Sequence, residues 1–126
     1  MKFAKRIFLI AGIYGLVVLL PMYFLEENIS RDLPPAITHP EYFYGFIGVT
    51  AAWQVLYLIL ATNPARYRPM MIPPILAKSS FAIAIAVLFF QDRVPFLMLV
   101  TAVPDLIFVV LFVIAFLKTS STVSLR

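Results

Sequence analysis

The 126-residue chain has no cysteine and a single histidine, His39. Without thiols it can form no disulfide, no thiolate metal site and no thiol nucleophile. One histidine among scattered acids is too unspecific a set for a metal centre. A haem-type box in the Phe-rich fourth apolar run would need axial ligands that are missing. The four glycines fall at Gly12, Gly15, Gly45 and Gly48, and none builds a phosphate-cradling loop. No nucleophile–His–acid set appears either. Neither a cofactor nor a metal is therefore expected, and any catalysis would rest on Asp105, Lys78 and Tyr14 alone.

Charge is also scarce, at 13% of residues, whereas 63% are hydrophobic and the mean hydropathy is +0.98. A soluble domain of this size could not hide so much apolar surface from water. Apolar runs of about twenty residues, repeated four times, are what a membrane protein needs. The expectation is an all-α fold: an integral membrane bundle of four transmembrane helices forming one domain over residues 1–126. Net charge is +4. The cations flank the apolar runs without the aromatic interleaving of a nucleic-acid surface. They point instead to orientation in the bilayer and to membrane lipids as partners, not nucleic acid.

The stretch NPARYRPMMIPPILAK, residues 63–78, organises the rest. Its prolines and Asn63 turn the chain, and Arg66 and Arg68 mark the side on which the turn lies. Spans are expected at about 7–25, 42–61, 72–90 and 94–117. Outer loops would cover 26–41 and 91–93, and a cytoplasmic hairpin 63–71. MKFAKR at the start resembles the head of a signal peptide, but no small-residue cleavage site follows, so the first run reads as an uncleaved span. Gly12 and Gly15, and then Gly45, Gly48 and Ala52, form small-residue stripes suited to close helix packing or to a homo-oligomer. Asn28-Ile29-Ser30 has the form of a glycosylation sequon, which we read as chance. The brevity of 91–93 makes the third and fourth spans antiparallel neighbours.

Counting Lys and Arg sets the orientation. Lys2, Lys5, Arg6, Arg66, Arg68, Lys78, Lys118 and Arg126 fall on one side, against Arg31 and Arg93 on the other. Eight against two places both termini and the central hairpin in the cytoplasm. The expected location is the inner (plasma) membrane, crossed several times.

Polar groups inside the spans carry the functional information, because each costs roughly 2.5–3.5 kcal/mol at a helix centre. At ~1.5 Å per residue, Tyr14 and Gln54 lie roughly 18 Å below the outer surface, Asp105 about 16–17 Å and Lys78 about 20 Å. Each span thus offers one polar group at nearly one level. Thr50 and Thr101 stand one turn before Gln54 and Asp105. Read functionally, Asp105, Lys78, Gln54 and Tyr14 form a mid-membrane site for a polar headgroup or a proton. Read structurally, Asp105 and Lys78 form an interhelical salt bridge, or Lys78 snorkels to the surface.

HPEYFYGFIGVTAAWQ (residues 39–54) and NPARYRPMM (63–71) resemble a group of small, mostly uncharacterised bacterial four-helix membrane proteins, loosely DoxX-like. The resemblance covers roughly residues 39–118 and rests on packing and loop features. It implies four spans and an inner-membrane location, and no activity. Small multidrug exporters carry an acid in the first span, whereas this chain has none between Arg6 and Glu26. The resulting expectation is a non-catalytic membrane protein binding a lipid-like ligand or a larger membrane partner. The rivals are a proton-coupled exporter using Asp105 and a lipid or sterol-type isomerase using the polar layer.

Overall fold

The structure, a computed structural model, describes residues 2–119. Arg126 and the Ser/Thr-rich tail lie outside those residues. The described chain is helical, with α1 (Lys2–Leu19), α2 (Glu26–Asp32), α3 (Pro40–Thr62), α4 (Ile72–Phe90) and α5 (Phe96–Lys118). Short 3-10 helices occupy Leu20–Phe24 and Arg68–Met71, and no strand occurs among the described residues. Four segments are long and apolar enough to cross a membrane: Lys2–Phe24, Pro40–Thr62, Arg68–Phe90 and Phe96–Lys118. Each has 23 residues, about 34 Å of helix, against a hydrocarbon core of about 30 Å.

The boundaries differ from the sequence reading where local chemistry decides. Helix α1 starts at Lys2 rather than Ile7, because Lys, Ala and Arg are good helix formers. Pro21 has no N–H to donate, and the α-helix gives way to a 3-10 turn there. The 26–41 loop contains a helix of its own, α2. Glu26 and Glu27 occupy its first turn and Arg31 its last, matching the helix dipole. The Asn28 sequon therefore lies within a helix. Pro73 and Pro74 sit in the first turn of α4, where a missing N–H is harmless, so they begin the helix instead of interrupting it. Val94 and Pro95 belong to the connection before α5, with Pro95 extended. Asn63 closes the hairpin: its side-chain Oδ1 accepts from the Arg66 amide at 3.3 Å, and its carbonyl accepts from the Tyr67 amide at 3.1 Å.

The chain forms two compact units, Leu9–Ile59 and the residues up to Phe8 together with those from Leu60 onward. In the first, α1 and α3 run antiparallel at close range. A Cβ on Gly12 would meet Leu58, and one on Gly15 would collide with the Gln54 side chain. Further along, Tyr23 stacks on Tyr44 with centroids 6.0 Å apart, and the Tyr44 hydroxyl donates to Glu26 at 2.8 Å. Gly45 is different: a Cβ there would meet nothing within 4 Å. The second small-residue stripe is therefore not a packing seam along its whole length.

In the other unit, α4 and α5 are antiparallel neighbours. Gln91, Asp92 and Arg93 donate their amides back to Val87, Phe89 and Leu88, and Asp92 takes a φ of 58° to make the turn. Opposite this turn lies a packed end. Phe8 stacks on Phe112 at 4.5 Å, and both are fully buried, as are Ala4, Leu60, Met71 and Ala115. Such a ring pair is worth about 0.5–1.5 kcal/mol beyond its buried area. The start of α1, the Arg68–Met71 turn and the end of α5 therefore share one end of the unit.

Candidate functional site

The α4–α5 pair carries an ion pair between two span-length segments. Lys78 enters from the second turn of α4, and Asp105 follows Pro104 near the middle of α5. Lys78 Nζ donates to Asp105 Oδ1 at 2.9 Å, with the two side chains 13% and 25% exposed. The ammonium also lies 5.2 Å from the centroid of Phe108, one turn past Asp105. A carboxylate and an aromatic face at i and i+3 on α5 thus receive one cation from α4.

The same two helices line an apolar groove of about 510 Å³. Ala82, Ile83 and Ala86 form its α4 wall, and Phe96, Leu99, Val100, Ala102, Val103 and Leu106 its α5 wall. It exists because three alanines face each other where bulkier side chains would fill the gap. Ala82 stands one turn after Lys78, and Leu106 follows Asp105 along the chain, but neither Lys78 nor Asp105 is among the residues that line the groove. Phe96, which does line it, meets Phe89 edge to face, with centroids 6.2 Å apart. Pro104 lies inside α5 and, with no N–H, cannot donate to the carbonyl of Val100.

The other two candidate residues belong to the Leu9–Ile59 unit. Gln54 is 3% exposed, and its Nε2 donates to the Thr50 carbonyl at 3.0 Å, within its own helix. Tyr14 is 43% exposed. The threonines are likewise engaged locally, since Thr101 Oγ1 donates to the Met98 carbonyl at 2.6 Å. Of the four expected residues, the structure brings Lys78 and Asp105 together. His39 bonds to Glu41 at 3.2 Å and stacks on Tyr42. Among the described residues no group of His, Cys, Asp and Glu could hold a metal ion.

Two features of the α4–α5 pair, the Lys78–Phe108 contact and the groove, escaped the sequence reading. Phe108 could have been found from its i+3 spacing to Asp105. The groove could not, because it depends on which faces of α4 and α5 meet. Comparison with protein-family models, curated proteins and solved structures gives no match. Residue roles therefore rest on this geometry alone.

Proposed function

We propose that the protein is a non-catalytic integral membrane protein that holds a lipid-like ligand between α4 and α5. The observation that carries this is the groove of about 510 Å³, apolar on both walls. That size lies within the roughly 300–1,000 Å³ typical of small-molecule sites. A hydrocarbon chain suits the alanine-lined walls.

In this reading the four apolar segments cross the inner membrane, with both termini and the 63–71 hairpin in the cytoplasm. The eight-to-two distribution of Lys and Arg supports that orientation. So does the meeting of the α1 start, the hairpin and the α5 end at one end of a single unit.

The test is purification in mild detergent followed by native mass spectrometry. A stoichiometric lipid-like species is expected on the wild type, and its loss on Ala86→Leu, which fills the groove. Retention of that species by a folded Ala86→Leu variant would overturn the site. A stoichiometric protein companion in place of a lipid would make the chain a subunit of a larger membrane complex.

A further inference from the structure

We propose that Arg68 anchors a binding site for the headgroup phosphate of an anionic phospholipid. The site lies where the start of α1, the Arg68–Met71 turn and the end of α5 meet. The inference rests on the membrane reading of the four apolar segments, and it is independent of the α4–α5 groove.

Arg68 is held in a way that leaves its binding edge open. Its Nε donates to the Phe116 carbonyl at 3.0 Å, and its guanidinium carbon lies 3.6 Å from the centroid of the Phe116 ring. These two contacts fix the plane of the guanidinium and use one of its five N–H donors. The terminal Nη groups carry the other four, and they have no protein partner among the described residues. A positioned guanidinium with both Nη groups available is a two-pronged receptor for an oxyanion.

Among the described residues of this unit, no acid pairs with it. The unit from Leu60 onward contains two described acids, Asp92 and Asp105. Asp105 is engaged by Lys78, and Asp92 sits in the turn at the far end of α4. Cations surround Arg68 instead. Lys118 lies over the Phe3 ring at 4.5 Å, and Arg66 lies two residues away over Tyr67 at 5.7 Å. Lys2, Lys5 and Arg6 are exposed on the first turns of α1. So much like charge without an acid calls for an external counter-anion.

The surroundings favour a lipid over a soluble phosphate. Met70, Ile72 and Leu117, adjoining Arg68 and Phe116 along the chain, are 45%, 46% and 62% exposed. An anion on the guanidinium would thus have acyl chains against exposed apolar side chains directly beside it. A diffuse basic surface also attracts anionic lipid, but it would treat arginine and lysine alike. The fixed fork would not.

The measurement is a thermal-shift and native mass spectrometry titration of the detergent-solubilised full chain. The probes are phosphatidylglycerol, phosphatidylcholine and inorganic phosphate. Phosphatidylglycerol is expected to bind in preference to phosphatidylcholine and to raise the melting temperature, with no shift from inorganic phosphate. Arg68→Lys and Arg68→Gln should each weaken phosphatidylglycerol binding about tenfold, the scale of one charge-assisted hydrogen-bonded contact. Arg93→Gln, at the opposite end of the unit, should change nothing. Melting of each variant without lipid separates lost binding from lost folding, and Arg68→Lys keeps a cation beside Phe116. Undiminished binding by Arg68→Lys would reduce the site to a generic basic surface and overturn the proposal. An equal shift from inorganic phosphate, or no preference between the two lipids, would overturn it too. A membrane-bound protein without lipid preference sinks this inference alone, whereas a water-soluble one sinks the membrane reading as well.

Discussion

Lys78 on α4 and Asp105 on α5 form a 2.9 Å ion pair within two segments long and apolar enough to cross a membrane. In a chain that spans a membrane, removing either partner leaves a charge that costs roughly 2.5–3.5 kcal/mol at a helix centre. Removing both leaves two apolar side chains facing each other. Asp105→Leu and Lys78→Leu should each lower stability by about 2 kcal/mol, somewhat under that figure because both side chains retain some exposure. The double variant should recover most of the loss. Unfolding in mixed micelles measures all three. Additive losses in the double variant would show that the pair is not an energetic unit.

The seam between α1 and α3 gives a paired test on glycine. A methyl group at Gly15 would occupy the space of the Gln54 side chain, whereas one at Gly45 would enter open space. Gln54 is buried and held to the Thr50 carbonyl, so it cannot simply swing away. Gly15→Ala should destabilise by about 1–3 kcal/mol, the usual range for overpacking. Gly45→Ala should be neutral or gain up to about 1 kcal/mol from helix propensity. Melting temperatures of the two variants decide it, and equal shifts would contradict the packing described here.

These two sites show what the sequence disclosed and what it withheld. The helical class and four apolar segments were legible because run length and hydropathy follow from the local sequence. The closeness of Lys78 and Asp105 was legible too, since equal depth on adjacent antiparallel helices brings opposite charges within reach. Gly12 and Gly15 were correctly placed at a close approach, but Gly45 was not. Small size permits a helix contact without specifying which face makes it. Helix α2 was hidden by the prolines that follow it at 34, 35 and 40, although its paired glutamates and terminal arginine are helix signals. The grip of Arg68 on Phe116, 48 residues away, has no local signature.

The turn between α4 and α5 turns on Asp92, whose φ of 58° lies in the left-handed region. Glycine adopts that conformation freely, aspartate tolerates it, and a β-branched residue is strained there. Asp92→Gly should preserve or slightly raise stability. Asp92→Val should lower it by at least about 1 kcal/mol. Thermal melts suffice to check this. An unaffected Asp92→Val variant would mean that the turn relaxes into another form at no cost.

The absence of cysteine makes the orientation directly testable, because single thiols can be introduced without first removing any. Glu27 lies in α2, in the segment between the first two apolar spans, and Ala65 lies in the hairpin between the second and third. One span, Pro40–Thr62, separates them, so a chain that crosses the bilayer there must place them on opposite sides. The proposed orientation would further put Ala65 in the cytoplasm. In spheroplasts, a membrane-impermeant maleimide should label Glu27→Cys at once and Ala65→Cys only after permeabilisation. Labelling of both sites in intact spheroplasts would show that Pro40–Thr62 does not cross. Labelling of Ala65→Cys alone would keep the crossing and invert the orientation. In that case Arg68 would face the outer leaflet, and its lipid preference would have to be met there.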